Sequence, residues 1–341
     1  MTYKLFKLNF VTPLHIGTNR PGFENSAEIL HSDSLFSALV NCWIQLYPDD
    51  IPLFFPEESD SLVIPFFNIS SAFPYFRDTL FFPKPYLQLN IPQDIIEANP
   101  NLIKKLKSVT YVSQPIFEAA INNQELLFED NWFDRSGKFA DGQLFNKSES
   151  KSPFKMIDVP RVVIDRMTGE TMPFNFTRIR FQKDAGLYFL AEFQDTEWEK
   201  RFTAVLRLLG DTGIGGDRSV GHGLFEIEEI RDLNINVPEN SGYFMTLSLY
   251  HPTETEQRSI NEKASYQIIE RKGWVFSGNA KPLRRQTVRM FTEGSIFPGD
   301  IKQYGDTIRV LKKEPGLNLN HDVFRFGQAL VVPFIKGRAG S

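Results

Sequence analysis

The chain has 341 residues, of which 41% are hydrophobic, enough for the cores of two domains and too much for global disorder. Its formal net charge of −4 excludes non-specific polyanion binding over the whole surface but leaves room for a local basic groove. A single cysteine, Cys42, excludes a disulfide framework or a cysteine zinc site within one chain.

The opening MTYKLFKLNF alternates like a strand and lacks a signal-peptide core. No apolar run approaches the ~20 residues of a membrane helix, so a cytoplasmic, membrane-free protein with Cys42 as a buried thiol is expected. Pro13 and Gly17 end the strand. In HSDSLFSALVNCWIQLY, Leu35, Leu39, Cys42 and Leu46 recur at helical spacing, and Ser32 or Asp33 is suited to cap the first turn. Pro48 and Asp49 stop this helix. Residues 50–175 read as a large insertion. SLVIPFFNIS and TLFFPKPYLQL look like strands broken by prolines, and residues 94–108 like a short basic helix. Asp134 to Lys155 reads as a polar mobile loop. RVVIDRMTGETMPFNF predicts a β-hairpin with its tip at Met167, Thr168 and Gly169.

FTRIRF and LYFLAEF are expected to form a second hairpin around Lys183 to Gly186. Thr196 and Glu199 suggest a capping box for a second helix, whose apolar face is Trp198, Phe202, Val205, Leu206 and Leu209 and which ends at Gly210. GLFEIEEI is a further strand. The order strand, helix, two strands, helix, strand is the ferredoxin-like βαββαβ (RRM-like) motif, in an α+β chain. Pro238 to Gly242 reads as a linker. YFMTLSLY, RKGWVFS, VRMFTEGSIF, DTIRVL and ALVVPF then supply strands of a degenerate second ferredoxin-like domain. The expected organisation is residues 1–237, with the insertion and hairpin, followed by 238–341.

The sharpest signal is GDTGIGGDRSVGHGLFEI, with six glycines between Gly210 and Gly223. Gly213, Gly215, Gly216, Gly221 and Gly223 imply positive φ angles and close approach of another chain, and exposed backbone N–H groups would make an anion nest. Arg218, Ser219 and His222 can reach phosphates or bases from it. A P-loop and a dinucleotide fingerprint both open a helix from a strand. Here the order is helix, loop, strand, and no lysine follows the relevant glycine. A purely structural glycine loop is the alternative.

GIGGDRSVGHGLFEI resembles the glycine-rich loop of the RAMP superfamily of CRISPR proteins. LNFVTPLHIG, LHSDSLFSALVNCW and SSAFPYFRDTLFFPKPYL narrow the likeness to the fourth subunits of type III-A Csm effector complexes, in the Cas-five-like group. The RVVIDRMTGETMPF hairpin and EGSIF also fit. The resemblance implies a non-catalytic subunit, without cofactor or metal, that binds the repeat-derived 5′ tag of CRISPR RNA. It also implies two protein partners, the backbone RAMP subunit, whose helical assembly it caps, and the large palm-domain subunit. The hairpin would act as a thumb separating tag from guide, with Met167 as an apolar wedge.

Sequence-specific RNA recognition reads single strands splayed from their stack. His15, Gly17, Ser32, Ser34, Arg218, Ser219 and His222 can share one groove for it, although Ser32 and Asp33 equally suit a structural capping role. A second basic source, Arg271 to Met290, carries Lys281, Arg284 and Arg285 with no acid, and Trp274 and Phe276 alternate there as core residues. The hairpin adds Arg161, Arg166, Arg178 and Arg180. Three alternatives stay open: the equivalent type III-B subunit, a RAMP endoribonuclease using His15, His31 or His222 as base, and an all-protein scaffold.

Overall fold

In the computed structural model, which describes residues 1–17, 26–56, 60–129, 132–142, 152–165, 167–275, 283–300 and 302–337, the first strand, β1 (Thr2–Phe10), is covered on both faces. Tyr3, Leu5, Phe6 and Leu8 are all buried. It is followed by α1 (Ser32–Leu46), α2 (Ile51–Phe54), β2 (Ser61–Leu62), β3 (Phe67–Ile69), β4 (Phe73–Phe76), β5 (Thr79–Pro83), α3 (Gln93–Ala98), α4 (Leu102–Ser108), β6 (Tyr111–Ser113), α5 (Gln114–Ile121) and β7 (Phe139–Ala140). A long hairpin, β8 (Phe154–Ile164) and β9 (Thr171–Phe181), precedes β10 (Ala185–Phe193), α6 (Thr196–Thr212) and β11 (Phe225–Asn234). The remainder is β12 (Tyr243–Thr246), α7 (Glu254–Ser259), β13 (Ile268–Arg271), β14 (Val288–Phe291), β15 (Ile296–Pro298), β16 (Thr307–Leu311), β17 (Val323–Phe326) and β18 (Val331–Phe334).

The main sheet has eight strands in the order β11-β1-β10-β4-β5-β6-β7, with β3 also on β10. β1 runs antiparallel to both β10 and β11, and β10 antiparallel to β4. Helices α1 and α6 pack together over it: Phe6 of β1 stacks on Phe189 of β10 at 5.1 Å, and Phe202 of α6 meets Phe6 at 5.4 Å and Trp43 of α1 at 6.4 Å. Aromatic rings bury more apolar area per residue than any other side chain, and this chain builds its helix-on-sheet layer from them.

Three local expectations change. FTRIRF does not pair with LYFLAEF. It is the C-terminal half of β9 and pairs with β8 from Phe154↔Phe181 to Val159↔Phe176, while β10 pairs with β1, β3 and β4. Both strands alternate suitably, so periodicity could not choose the partner. Asp195, one residue before the expected cap, accepts from the N–H groups of Glu197 and Trp198 and starts α6. The helix runs past Gly210 to Thr212, because Gly210 sits against the carbonyl of Phe225, where a Cβ would come within 2.4 Å. That glycine serves packing and Gly213 serves termination.

Residues 50–175, expected as one insertion, supply β3 and β4 to the main sheet next to β10. The basic stretch 94–108 forms two short helices. Of the expected loop from Asp134 to Lys155, residues 143–151 lie outside the described residues; Asp134 itself is buried and accepts from the backbone of Ser136, Lys138 and Phe139.

The C-terminal strands divide among a three-stranded sheet, β15-β12-β18, the pair β13-β14, and a second three-stranded sheet, β17-β16-β2, whose last strand comes from the first half of the chain. Among the described residues they do not join into one four-stranded βαββαβ sheet. Phe326 of β17 stacks on Phe36 of α1 at 4.5 Å, and one continuous core includes Leu247, Ile296, Phe326 and Val332 with the residues of β1 and α1. This seam between α1 and the C-terminal strands positions the site.

Candidate nucleic-acid interface

The glycine-rich loop, residues 210–223, is first of all stitched to the chain that leaves β1. Gly216 N–H donates to the His15 carbonyl at 2.9 Å, Gly223 N–H to the Pro13 carbonyl at 2.9 Å, and Ile214 N–H to the Gly223 carbonyl at 3.0 Å. Gly215 has φ 89°, and a Cβ there would fall 2.2 Å from the His15 carbonyl oxygen; at Gly223, φ 75°, it would fall 1.9 Å from that of Ile214. The close approach that the glycines permit is therefore largely the protein's own, and Gly213 and Gly223 are buried. Gly221 is the exception: its φ is 81° and a Cβ would meet nothing within 4 Å. With exposed Ser219 and Val220 it forms the open crest of the loop.

Beneath the loop a compact cluster joins it to the β8-β9 hairpin. His15 is buried, its ring 4.1 Å from that of Phe176, and its Nδ1 lies 2.8 Å from the Thr177 carbonyl, which can only accept, so Nδ1 carries the proton. Arg161 lies over the same Phe176 ring at 4.5 Å and forms an ion pair with Asp217 at 2.6 Å. Arg178 is also on that ring, at 5.6 Å, and its Nε is buried with no hydrogen-bond partner; His222 Nδ1 is likewise buried and unpartnered. Burial, and then the positive charge of Arg178, pushes the His222 imidazole below its ordinary range, so it is neutral at pH 7.

Beside this cluster a cleft of about 230 Å³ opens between the end of β1, helix α1, the loop and the C-terminal strands. It gathers Gly17, Ser34, Gly215, Gly216, Arg218 and Arg285, all anticipated from sequence. It also holds Asp33 and Arg325, which were not. Neither Ser32 nor Asp33 caps α1: the N-cap is His31, without a side-chain cap bond. Asp33 instead takes Arg271 in a two-pronged pair, Nε at 2.9 Å and Nη2 at 2.8 Å, and a second guanidinium from Arg325. Burial opposes the charge of Asp33, but the two guanidiniums override it and hold the carboxyl well below the usual carboxylate range. Ser34 Oγ accepts from Arg271 Nη2 at 2.9 Å.

Ser32 is withdrawn from the interface. It is fully buried, its N–H donates to Ser71 Oγ at 2.8 Å and its Oγ accepts from Leu249 N–H at 3.1 Å. The basic stretch after Arg271 is less free than its composition implied, since Arg271 serves Asp33 and Lys272 pairs with Glu270 at 2.8 Å. Trp274, expected in the core, is exposed, with Arg284 over its ring at 4.9 Å. Met167 at the hairpin tip is 96% exposed, and Met172 and Ile164 beside it are also exposed. Arg166, Phe276 and Lys281 lie outside the described residues. Cys42 is a buried free cysteine, and among the described residues no group of three His, Cys, Asp or Glu is placed to hold a metal ion. No described helix is long and apolar enough to cross a membrane.

Comparison with known proteins identifies the family. The RAMP superfamily profile matches residues 7–226, which contain the loop, and the profile of the CRISPR Csm4 C-terminal domain matches residues 239–334. The Csm4 protein of Thermococcus onnurineus is 29% identical, over 88% of this chain and 90% of its own. That of Methanocaldococcus jannaschii is 27% identical over 98% of each. Among solved structures, the fold resembles a chain of a Csm3–Csm4 subcomplex of the type III-A CRISPR-Cas interference complex (TM-score 0.63, 20% identity, 98% of this chain and 100% of that one). It also resembles a chain of a Csm1–Csm4 cassette in complex with cA4 (TM-score 0.61, 22% identity, 99% and 100%). The chain belongs to the RAMP superfamily, in its Csm4 branch.

Proposed function

We propose that this chain is the non-catalytic subunit of a type III-A Csm complex that holds the repeat-derived 5′ tag of CRISPR RNA in the cleft between α1 and the glycine-rich loop. The observation that carries the reading is the meeting, in one cleft, of Gly17, Ser34, Gly215, Gly216, Arg218 and Arg285 from four separate stretches of sequence. The open crest at Ser219 to Gly221 and the cationic cluster of Arg161 and Arg178 extend it along a path toward the hairpin. Arginines on such a path supply phosphate contacts, and exposed rings such as Trp274 offer stacking platforms. On this reading the first half is a ferredoxin-like, RRM-like core and the second a degenerate copy.

The apolar hairpin tip, with Met167, acts as the thumb at the boundary between tag and guide. By analogy with the relatives solved as Csm3–Csm4 and Csm1–Csm4 assemblies, the protein partners are the backbone RAMP subunit and the large palm-domain subunit. Support for a non-catalytic role comes from two of the histidines. His15 and His31 are both buried, at 6% exposure each, so neither ring is open to a 2′-hydroxyl at the surface.

The test is binding of labelled repeat-tag RNA to the purified chain across a salt series. The wild type is expected to bind the RNA without cutting it. Arg218→Glu is expected to weaken binding about tenfold or more and to reduce the salt slope by about 0.7 per lost phosphate contact. Unchanged affinity in that variant, or metal-independent cleavage by the wild type, contradicts the proposal.

A further inference from the structure

We propose that Arg285 and Arg325 form a single phosphate subsite at the floor of the α1 cleft, occupied by one phosphodiester of the bound RNA. This deepens the tag-binding reading and rests on it. Three guanidiniums, those of Arg271, Arg285 and Arg325, converge on one carboxylate, Asp33. Both Asp33 oxygens are already used, by Arg271 and Arg325. The other buried acid nearby, Glu293, is occupied by His31 and Ser71. Arg285 therefore has no acid of its own, and its Nε is buried without a hydrogen-bond partner. The side chain of Arg325 is only 3% exposed, and its Nε is equally unpartnered.

A buried donor with no acceptor, on a charged group, costs free energy that a purely structural cluster has no reason to bear. Burial first, and then the neighbouring arginines, push both guanidiniums below the usual arginine range against the opposing pull of Asp33. The cleft beside them is lined in part by small residues, Gly17, Ser34, Ser37 and Gly216, and Asp33 is the only acid among its described lining residues. Ser34, Ser37 and Asn41 add neutral polar groups at its rim. Arg325 keeps only its Nε unpartnered, because Nη1 serves Asp33 and Nη2 reaches the Lys272 carbonyl at 3.4 Å; a phosphate between small walls would take that N–H together with the guanidinium of Arg285. The arrangement also explains why the cluster straddles the two halves of the chain. A phosphate seated there would tie α1 to the C-terminal strands.

The experiment uses the full chain and inorganic phosphate as the probe. Thermal melting is followed in millimolar phosphate against chloride and against acetate at matched ionic strength, for wild type, Arg285→Gln and Arg285→Lys. Arg285 makes no ion pair among the described residues, so its variants are expected to fold; Arg325→Gln is a second variant in the same assay. Phosphate is expected to raise the wild-type melting temperature, to leave Arg285→Gln near the chloride value and to act in part on Arg285→Lys. Comparison with Arg285→Gln removes the general stabilisation by excluded salts. An equal shift in wild type and Arg285→Gln, no shift in either, or an equal response to acetate overturns the phosphate site. Tag RNA is then titrated separately. Arg285→Gln is expected to bind about tenfold more weakly, with a salt slope lower by about 0.7. A lost phosphate response with unchanged RNA affinity overturns the assignment to RNA. A phosphate response in a wild type that does not bind the tag leaves the anion site standing and rejects the tag-binding reading instead.

Discussion

The molecule handles arginine in two contrasting ways within one candidate interface. Under the glycine-rich loop, Arg161 is partly exposed, stacked on Phe176 and paired one to one with Asp217. At the floor of the α1 cleft, Arg271 and Arg325 share the buried Asp33, and Arg285 stands beside them without an acid. The first pair is half-buried, at 28% and 22% side-chain exposure, so salt screens it in part and it is cheaper to break. The second is unbalanced and shielded, so each charge in it matters more. An interface for a polyanion gains from both: an adaptable rim and a fixed anchor.

The sharpest way to break the contrast is Asp33→Ala. It leaves buried guanidiniums without a counter-charge and is expected to cost about 3–5 kcal/mol, measured by denaturant unfolding. The pH dependence has a definite sign. The folded carboxyl titrates below its ordinary 3.8, so its contribution is complete above that value and is lost as the pH falls below it. Wild type should therefore lose stability on acidification through that range, and Asp33→Ala should show a flatter acid limb. An Asp33→Ala variant as stable as wild type would mean that the cluster is not buried as described.

A second comparison lies inside the loop. Gly223→Ala places a Cβ 1.9 Å from the Ile214 carbonyl oxygen at φ 75° and should cost at least about 2 kcal/mol, because strain and overlap add. Gly221→Ala, at φ 81° but in open space, should cost only about 1 kcal/mol. Thermal melts of the two variants would separate a glycine needed for close packing from one needed only for its dihedral angle; equal losses would erase the distinction. The smallest effect is expected at the rim. A double-mutant cycle over Arg161→Gln and Asp217→Asn should give a coupling of about 0.2–1 kcal/mol that shrinks in high salt. A larger, salt-independent coupling would show that this pair is no more exposed than the Asp33 cluster.

Much of the fold was legible along the chain. The period of Leu35, Leu39 and Cys42, the turn at Gly169 and the apolar face of Phe202, Val205 and Leu206 each belong to a single element, and local rules suffice for them. The misreadings had long-range causes. FTRIRF could pair with either neighbour by alternation, and only the register against Phe154 to Val159 decided it. Thr196 with Glu199 looked like a capping box, but Asp195, also a good cap, stood one residue earlier and took the role.

The candidate site divides the same way. Glycine content, the basic residues and the likeness to RAMP proteins were enough to single out the loop with Arg218 and Arg285, because composition and motif are properties of short segments. Other features needed the folded chain: the withdrawal of Ser32 into the core, the use of Asp33 as the partner of two arginines, and the entry of Arg325 into the cleft. Those pairs join residues 238 and 292 positions apart. An ion pair at that separation leaves no periodicity in sequence, since it exists only where burial brings its two ends together.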